Sequence, residues 1–184
     1  MGIANEEIKL DKYKYIMSRT DTKGMIEFAN DYFVEISGYT TNELIGKPHN
    51  LIRHPDMPKV IFKLMWDRLN SKKDIMAIVK NRAKDGRYYW VTTHFDIKYH
   101  YDNKTVDGYL AYRQAARPNA VKAIEPLYAT LLEIEREQGI SESEKYLNGF
   151  LESKGMSYDE YINEVVENRG AFALFFKAMR KFFS

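Results

Sequence analysis

The chain has 184 residues, of which 45% are hydrophobic and 14% aromatic, enough for one domain with an appendage or for two small domains. Its formal net charge of +2 is too small to indicate nucleic-acid binding. The absence of cysteine excludes disulfides, thiolate metal sites and cysteine nucleophiles. The sequence contains no apolar run of about 18 residues that would predict a membrane span, and its first residues do not resemble an export signal. We therefore expect a cytoplasmic globular protein.

The first half of the chain predicts two short strands followed by three helices, at residues 13–19, 25–29, 30–38, 40–45 and 58–69. Gly24 permits the positive φ of a turn between the strands, and Gly38 is a helix stop. Thr40 and Glu43 have the spacing of a capping box. Pro58 suits the first turn of the third helix, where its missing N–H is not needed. The apolar face of this helix consists of Ile61, Phe62, Met65, Trp66 and Leu69.

Three more strands are predicted at residues 74–84, 87–98 and 105–113. Asp85 and Gly86 form a strong hairpin signal between the first two, and Asp102 and Asn103 form a polar turn before the third. Strands, helices and strands in this order predict an α+β domain. Its five-stranded antiparallel sheet would have the helices on one face.

The strand over residues 87–98 predicts the wall of a ligand cavity. Its alternation places Trp90, Thr92, His94 and Asp96 on one face, and an apolar set from Tyr89 to Ile97 on the other. A mixed aromatic and polar face suits a ligand, because it offers a flat wall with a few hydrogen-bonding groups. In the alternative interpretation the apolar face is core, and the polar face is exposed or covered by residues 5–18 or by a dimer partner.

A proline-bounded segment, from His49 to Pro58, presents polar side chains ahead of the third helix. Proline restricts its own φ and the residue before it, so this backbone has few conformations. A rigid loop that carries Arg53, His54 and Asp56 suits the rim of a pocket.

From Pro118 onwards the chain is predicted to be helical. One helix spans residues 121–138 and stops at Gly139. Capping boxes at Ser141 with Glu144, and at Ser157 with Glu160, open two more.

The last predicted helix, towards Ser184, has two apolar faces. One contains Ile162, Val165, Val166, Phe172, Ala173, Phe176, Met179 and Phe183, and the other contains Leu174, Phe175, Ala178 and Phe182. An isolated surface helix has only one face to bury, so we expect intramolecular or dimer packing. Docking to a transducer and contact with a membrane surface are the alternatives.

Taken together, these motifs resemble the PAS domain of the bacterial aerotaxis, or energy-taxis, receptor family, which holds FAD noncovalently. The resemblance spans about Met17 to Leu132. The matching segments are Phe28–Phe33, Ser37–Tyr39, Glu43–Pro58, Val79–Arg82, Tyr89–Val91, Gly108–Tyr109 and Glu125–Tyr128. It implies an N-terminal cap at residues 1–12, a PAS sensor domain at 13–117 and a helical output and dimerisation extension at 118–184.

The resemblance also implies a set of flavin-pocket positions. They are Asn30, Arg53, His54, Asp56, Phe62, Trp66, Asn81 and Trp90. Asn81 resembles the amide that holds the polar edge of the isoalloxazine ring. Arg53, His54 and Asp56 resemble the rim near the adenosine-diphosphate part.

Two pocket positions depart from the family pattern. Ile75 stands where the family commonly has tryptophan, and His94 stands where it commonly has asparagine. An imidazole can ligate iron or respond to pH. The remaining matched positions make FAD the expected cofactor, and we count His94 among the residues that contact it. Heme is the alternative, with His94 or His54 as its axial ligand, and His49 and His100 are expected to be ordinary surface or turn residues.

No enzyme motif is present: the sequence lacks a phosphate-binding glycine loop, a zinc-type His-Glu-x-x-His and a nucleophile elbow. The resemblance implies a redox sensor that is not an enzyme. It would signal as a homodimer to a separate methyl-accepting chemotaxis-type transducer, like the sensor half of a split receptor. A cofactor-free dimerisation adaptor is a further alternative.

Overall fold

The computed structural model describes residues 6–101 and 104–167. Their elements are β1 (Ile16–Thr20), β2 (Ile26–Ala29), α1 (Asp31–Ser37), α2 (Thr41–Leu44), a 3-10 turn (His49–Ile52), α3 (Lys59–Asn70), β3 (Ile75–Arg82), β4 (Tyr88–Tyr99), β5 (Val106–Ala115), α4 (Pro118–Gln138), α5 (Ile140–Lys154) and α6 (Tyr158–Glu167). The predicted turn at Asp102 and Asn103 lies outside the described residues, and so do Phe172–Phe183 of the predicted last helix.

The five strands form one antiparallel sheet in the order β2-β1-β5-β4-β3, which confirms the predicted α+β architecture. The register pairs Ser18 with Ala111, and Thr93 with Arg113. Side chains of paired residues lie on the same face of a sheet. These residues of β1, β4 and β5 therefore share one face, called here the inner face.

The ends of α1 and α2 are formed by contacts between residues that lie close together in the sequence. The Asn30 side chain accepts a hydrogen bond from the Phe33 N–H at the start of α1, and Gly38 ends that helix with a φ of 70°. The capping box of Thr40 and Glu43 is present at α2.

The two predicted capping boxes of the C-terminal helices have different outcomes. Ser157 and Glu160 exchange the expected hydrogen bonds before α6. The predicted box of Ser141 and Glu144 is wrong, because α5 begins at Ile140, directly after Gly139, and has no side-chain cap. Ser141 therefore lies inside the first turn of α5, where it cannot act as the N-cap.

Helix α3 lies on the inner face of the sheet, as predicted for the helices of the sheet domain. The C-terminal helices, which the sequence predicts as a separate extension, pack on the opposite, outer face. The Trp90 ring, on the outer face of β4, stacks on Tyr128 of α4 at 6.4 Å between centroids. The Tyr128 hydroxyl donates to the Ile78 carbonyl at 2.8 Å. Strand β3 is buried on both faces, a pattern that alternation alone does not indicate. None of the described helices is long and apolar enough to cross a membrane.

The N-terminal segment pairs with the sheet at the start of β4. Tyr88 N–H donates to the Glu6 carbonyl at 3.0 Å, and Ile8 N–H donates to the Tyr88 carbonyl at 2.7 Å. At the other end, α4 begins at Pro118, shortly after β5 ends at Ala115. The proposed division of the chain after residues 12 and 117 stays a prediction.

Candidate ligand-binding site

A cavity of about 260 Å³ lies between α3 and the inner face of the sheet. Helix α3 contributes Phe62, Met65, Trp66 and Leu69 to its wall. Strands β3, β4 and β5 contribute Val79, Asn81, Thr93, Phe95, Tyr109, Ala111 and Arg113. The rest of the lining comes from β1, the turn after it and the loop before α3: Ser18, Thr20, Lys23, Gly24, Pro48, His49, Asn50 and Arg53.

Aromatic rings give the cavity flat apolar walls. Trp66 meets Tyr109 edge to face, with ring centroids 5.5 Å apart. The Arg53 guanidinium lies over the Phe62 ring at 3.7 Å from its centroid. Gly24 has a φ of 81° and lets the turn after β1 approach Trp66, since a Cβ there would lie 3.0 Å from the indole. The wall is therefore fixed by packing from both the helix and the turn.

A buried arginine occupies the polar part of the cavity. Arg113 is 3% exposed and donates to the Ser18 hydroxyl at 2.9 Å and to His49 Nε2 at 2.8 Å. A guanidinium can only donate, so His49 Nε2 must be unprotonated and the neutral ring carries its proton on Nδ1. Burial, followed by the charge of Arg113, holds the pKa of His49 well below its usual value.

Three buried polar atoms on the cavity-lining residues have no hydrogen-bond partner within the described part of the chain. They are the amide nitrogen of Asn81, the hydroxyl of Thr93 and Nε of Arg53. An unpaired buried polar group costs about 1–3 kcal/mol. A ligand with a polar edge would supply partners that the protein does not.

Four of the nine predicted site residues line this cavity: Arg53, Phe62, Trp66 and Asn81. Asn30 does not, because its side chain is used within the fold. It accepts from the Met17 and Phe33 N–H groups and donates to the Tyr15 carbonyl. The predicted role of Asn30 in cofactor binding stays a prediction without a cavity contact.

His54 and Asp56 lie beside the outer face, where their loop passes around the edge of β3. His54 is 3% exposed, and its Nδ1 accepts from the Asp56 N–H at 3.1 Å. Asp56 pairs with Lys80 at 2.9 Å. Burial, and then the charge of Lys80, lowers the pKa of His54 to about 4, so the ring is neutral at pH 7. Only Arg53 of the predicted rim faces the cavity.

The face of β4 that lines the cavity is the opposite of the predicted one. Thr93 and Phe95 line it, whereas Trp90 packs on α4 and His94 is exposed on the outer face. Alternation divides a strand into two faces but does not say which face the ligand meets. The mixed face is apolar where α4 covers it and polar where it meets solvent. Ile75, the other departure, is buried at the start of β3 and is not part of the cavity lining.

Sequence reasoning missed Ser18, His49, Thr93 and Arg113 as cavity residues. The prediction that His49 is an ordinary surface or turn residue is wrong, because its ring hydrogen-bonds inside the cavity. Arg113 carried one signal: a cation in a strand where its neighbours on the same face, Tyr109 and Ala111, are apolar. A buried cation of this kind is uncommon without a functional partner.

Known proteins resemble part of this chain. Residues 26–112 match the family model of the PAS fold. The aerotaxis receptor of Escherichia coli K12 is 45% identical over 116 residues, which cover 63% of this chain and 22% of that protein. The bacterioopsin transcriptional activator of Halobacterium salinarum is 27% identical over 99 residues, covering 53% of this chain and 14% of that protein. This chain thus spans about a fifth of the first relative's length.

Solved structures share the fold at low sequence identity. A PAS domain from Colwellia psychrerythraea superposes with a TM-score of 0.51 at 21% identity, covering 56% of this chain and 88% of that one. A light-oxygen-voltage domain studied with a flavin analogue gives a TM-score of 0.52 at 20% identity, covering 60% and 82%. The sheet order, helix α3 on the inner face and the match over residues 26–112 together show that this part of the chain has the PAS fold.

Proposed function

We propose that the cavity holds the isoalloxazine ring of FAD and that the domain is a redox sensor for energy taxis. The observation that carries the proposal is the unpaired Asn81 amide beside the aromatic wall of Phe62 and Trp66. The 45% identity to an aerotaxis receptor supports it. The proposal includes no catalytic step.

The residues present fit this cofactor. The isoalloxazine ring is flat and apolar except for one edge of carbonyl acceptors and an N–H donor. Asn81 offers an amide donor and acceptor, and Arg113 adds donors at the same cavity. Lys23 and Arg53, also in the lining, supply cations suited to a diphosphate. When bound, FAD would supply reversible electron transfer, while these residues orient it and exclude water.

We propose that helix α3 is the route from the cavity to the C-terminal helices. One side of α3 lines the cavity, and its first N–H groups, of Lys59 and Val60, donate to the Glu135 carboxylate of α4 at 2.9 and 2.7 Å. Arg68 of α3 pairs with Asp159 of α6. A change at the cavity wall would therefore move α4 and α6. We propose that these helices signal, in a homodimer, to a separate methyl-accepting chemotaxis-type transducer.

Titration of the apoprotein with FAD, followed by flavin fluorescence, tests the proposed site. Asn81→Ala removes the unpaired amide and is expected to weaken binding at least about tenfold, the effect of one lost hydrogen bond to a buried polar edge. His94→Gln, on the exposed outer face, is the matched control and should bind as the parent does. Equal affinity for all three proteins would reject this cavity as the flavin site.

The cavity favours flavin over heme. The heme hypothesis assigns the axial ligand to His94 or His54, and neither residue lines the cavity. His49, the histidine in the cavity lining, already engages Arg113 and Ser18 through Nε2. The orphaned polar atoms of Asn81 and Thr93 also disfavour the adaptor hypothesis, in which the cavity would have no ligand.

A further inference from the structure

Arg113 is a buried cation without a countercharge. No carboxylate among the described residues forms an ion pair with it, and both of its side-chain acceptors, Ser18 and His49, are neutral. The nearby Tyr89 hydroxyl is buried and has no hydrogen-bond partner in the described part of the chain. Burial raises the pKa of Tyr89, so it stays a neutral phenol at pH 7. The positive charge is therefore not cancelled by the groups around it.

Two aromatic rings recover part of the cost of burying this charge. The Arg113 guanidinium carbon lies 5.9 Å from the Phe33 ring centroid and 6.0 Å from that of Phe95. Contacts of this length recover less free energy than the burial of an unpaired ion costs. Burial accordingly lowers the pKa of Arg113 to about 10, which still leaves it charged at neutral pH.

We propose that Arg113, held by Ser18 and His49, makes the cavity prefer the negatively charged, reduced form of its ligand. The inference rests on the proposed flavin function and adds to it the residue that sets the redox midpoint. An uncompensated cation in a cavity of low dielectric attracts a ligand's negative charge far more strongly than it would in water. Reduction adds electrons to the flavin ring, so this charge favours the reduced form. Protein charge near the ring is one of the means by which a fold tunes a cofactor.

The charge can be changed in two independent ways. Arg113→Gln removes it, and a carboxylate introduced beside Arg113 neutralises it. Ser18→Asp places a carboxylate beside the Arg113 guanidinium, which now donates to the Ser18 hydroxyl at 2.9 Å. Ser18→Asn is its control, because asparagine has the size of aspartate without the charge. The two Ser18 variants keep Arg113 and its contacts with Phe33 and Phe95. Their comparison therefore stays informative even if Arg113→Gln does not fold. Arg87→Gln, at a half-buried position in the hairpin turn that does not line the cavity, is the control.

The inference is tested by measuring the midpoint potential of bound FAD in a spectroelectrochemical titration. The affinity for oxidised FAD is measured on the same proteins. Arg113→Gln and Ser18→Asp should lower the ratio of reduced-form to oxidised-form affinity at least about tenfold, equivalent to about 30 mV for a two-electron couple. Ser18→Asn should shift this ratio less than Ser18→Asp, and Arg87→Gln should keep the parent value. Parent-like midpoints in Ser18→Asp and in folded Arg113→Gln would overturn the inference. A parent protein that binds no FAD would instead overturn the proposed function.

Discussion

Trp66 and Trp90 lie on opposite sides of the sheet and have different partners. Trp66 lines the cavity and meets Tyr109, whereas Trp90 stacks on Tyr128 of α4 and is 7% exposed. The two residues are the two tryptophans of the chain, so their fluorescence and their substitution separate the cavity from the outer packing layer.

Replacing Trp90 by alanine should chiefly lower stability, whereas replacing Trp66 by alanine should chiefly weaken FAD binding. Trp90→Ala is expected to cost about 3–5 kcal/mol of unfolding free energy, because it empties a buried contact between β4 and α4. Trp66→Ala is expected to cost less stability but to weaken FAD binding, because it removes a wall of the cavity. Urea unfolding and FAD titration on both variants measure this. If Trp90→Ala keeps its stability and loses FAD, our choice of cavity face is wrong.

His54 should make the protein sensitive to acid. The folded state holds the pKa of His54 at about 4, against an ordinary value of 6.5, chiefly through burial. Below pH 6.5 the unfolded chain therefore binds a proton that the folded protein does not, and stability falls as the pH drops towards about 4. The loss from this residue is on the order of 2 kcal/mol.

The substitution His54→Asn isolates this contribution, because its side-chain oxygen can still accept from the Asp56 N–H. We choose about pH 7 and about pH 4.5 to bracket the titration of His54. The unfolding free energies at these two pH values should differ less in the variant than in the parent. His94→Asn, at an exposed position, should keep the parent's pH dependence. An unchanged difference in His54→Asn would show that the His54 ring titrates normally. His49 is present in every variant compared, so its contribution to the pH dependence is the same in all of them.

At the scale of elements, the contact between α4 and α3 is the most informative. Pro58 cannot cap α3 with its side chain, and Glu135 takes that place by accepting two backbone N–H groups. A carboxylate at a helix N-terminus is stabilised by hydrogen bonds and by the helix dipole. One residue of the C-terminal region thus completes a helix that forms the cavity wall.

Glu135→Ala is expected to lower the unfolding free energy by about 1–2 kcal/mol, the usual cost of losing an N-cap. It should also weaken FAD binding, since Phe62 and Trp66 lie on the same helix. Glu137→Ala, an exposed position in α4, is the matched control. Chemical denaturation and FAD titration measure the two effects. Weakened stability with unchanged FAD affinity would separate the cap from the cavity and remove α3 as the signalling route.

Elements whose signals are local could be predicted from the sequence. The turn at Gly24, the stop at Gly38 and the capping box at Thr40 involve residues at most a few positions apart. The capping box expected at Ser141 did not form because a single residue, Gly139, separates the end of α4 from the start of α5. Local spacing does not contain that information, since α4 and α5 are placed by their packing.

At the scale of the whole molecule, the order of strands and helices was enough to predict a five-stranded antiparallel sheet. The cavity was only half predicted. Phe62, Trp66, Asn81 and Arg53 followed from the resemblance and line it, but the face of β4 did not follow. Burial of β3 and β4 on both sides depends on α4 and α6 returning across the sheet, which is a long-range event. The same tertiary contacts bring Ser18, His49 and Arg113 together from distant parts of the sequence.

The visible absorption spectrum of the purified protein, taken after incubation with FAD and removal of free flavin, tests the central claim most directly. The account predicts retained flavin bands at about 370 and 450 nm, present in the parent and in His94→Gln and weakened in Asn81→Ala and Trp66→Ala. A sharp heme band, or a colourless protein after this treatment, would contradict it.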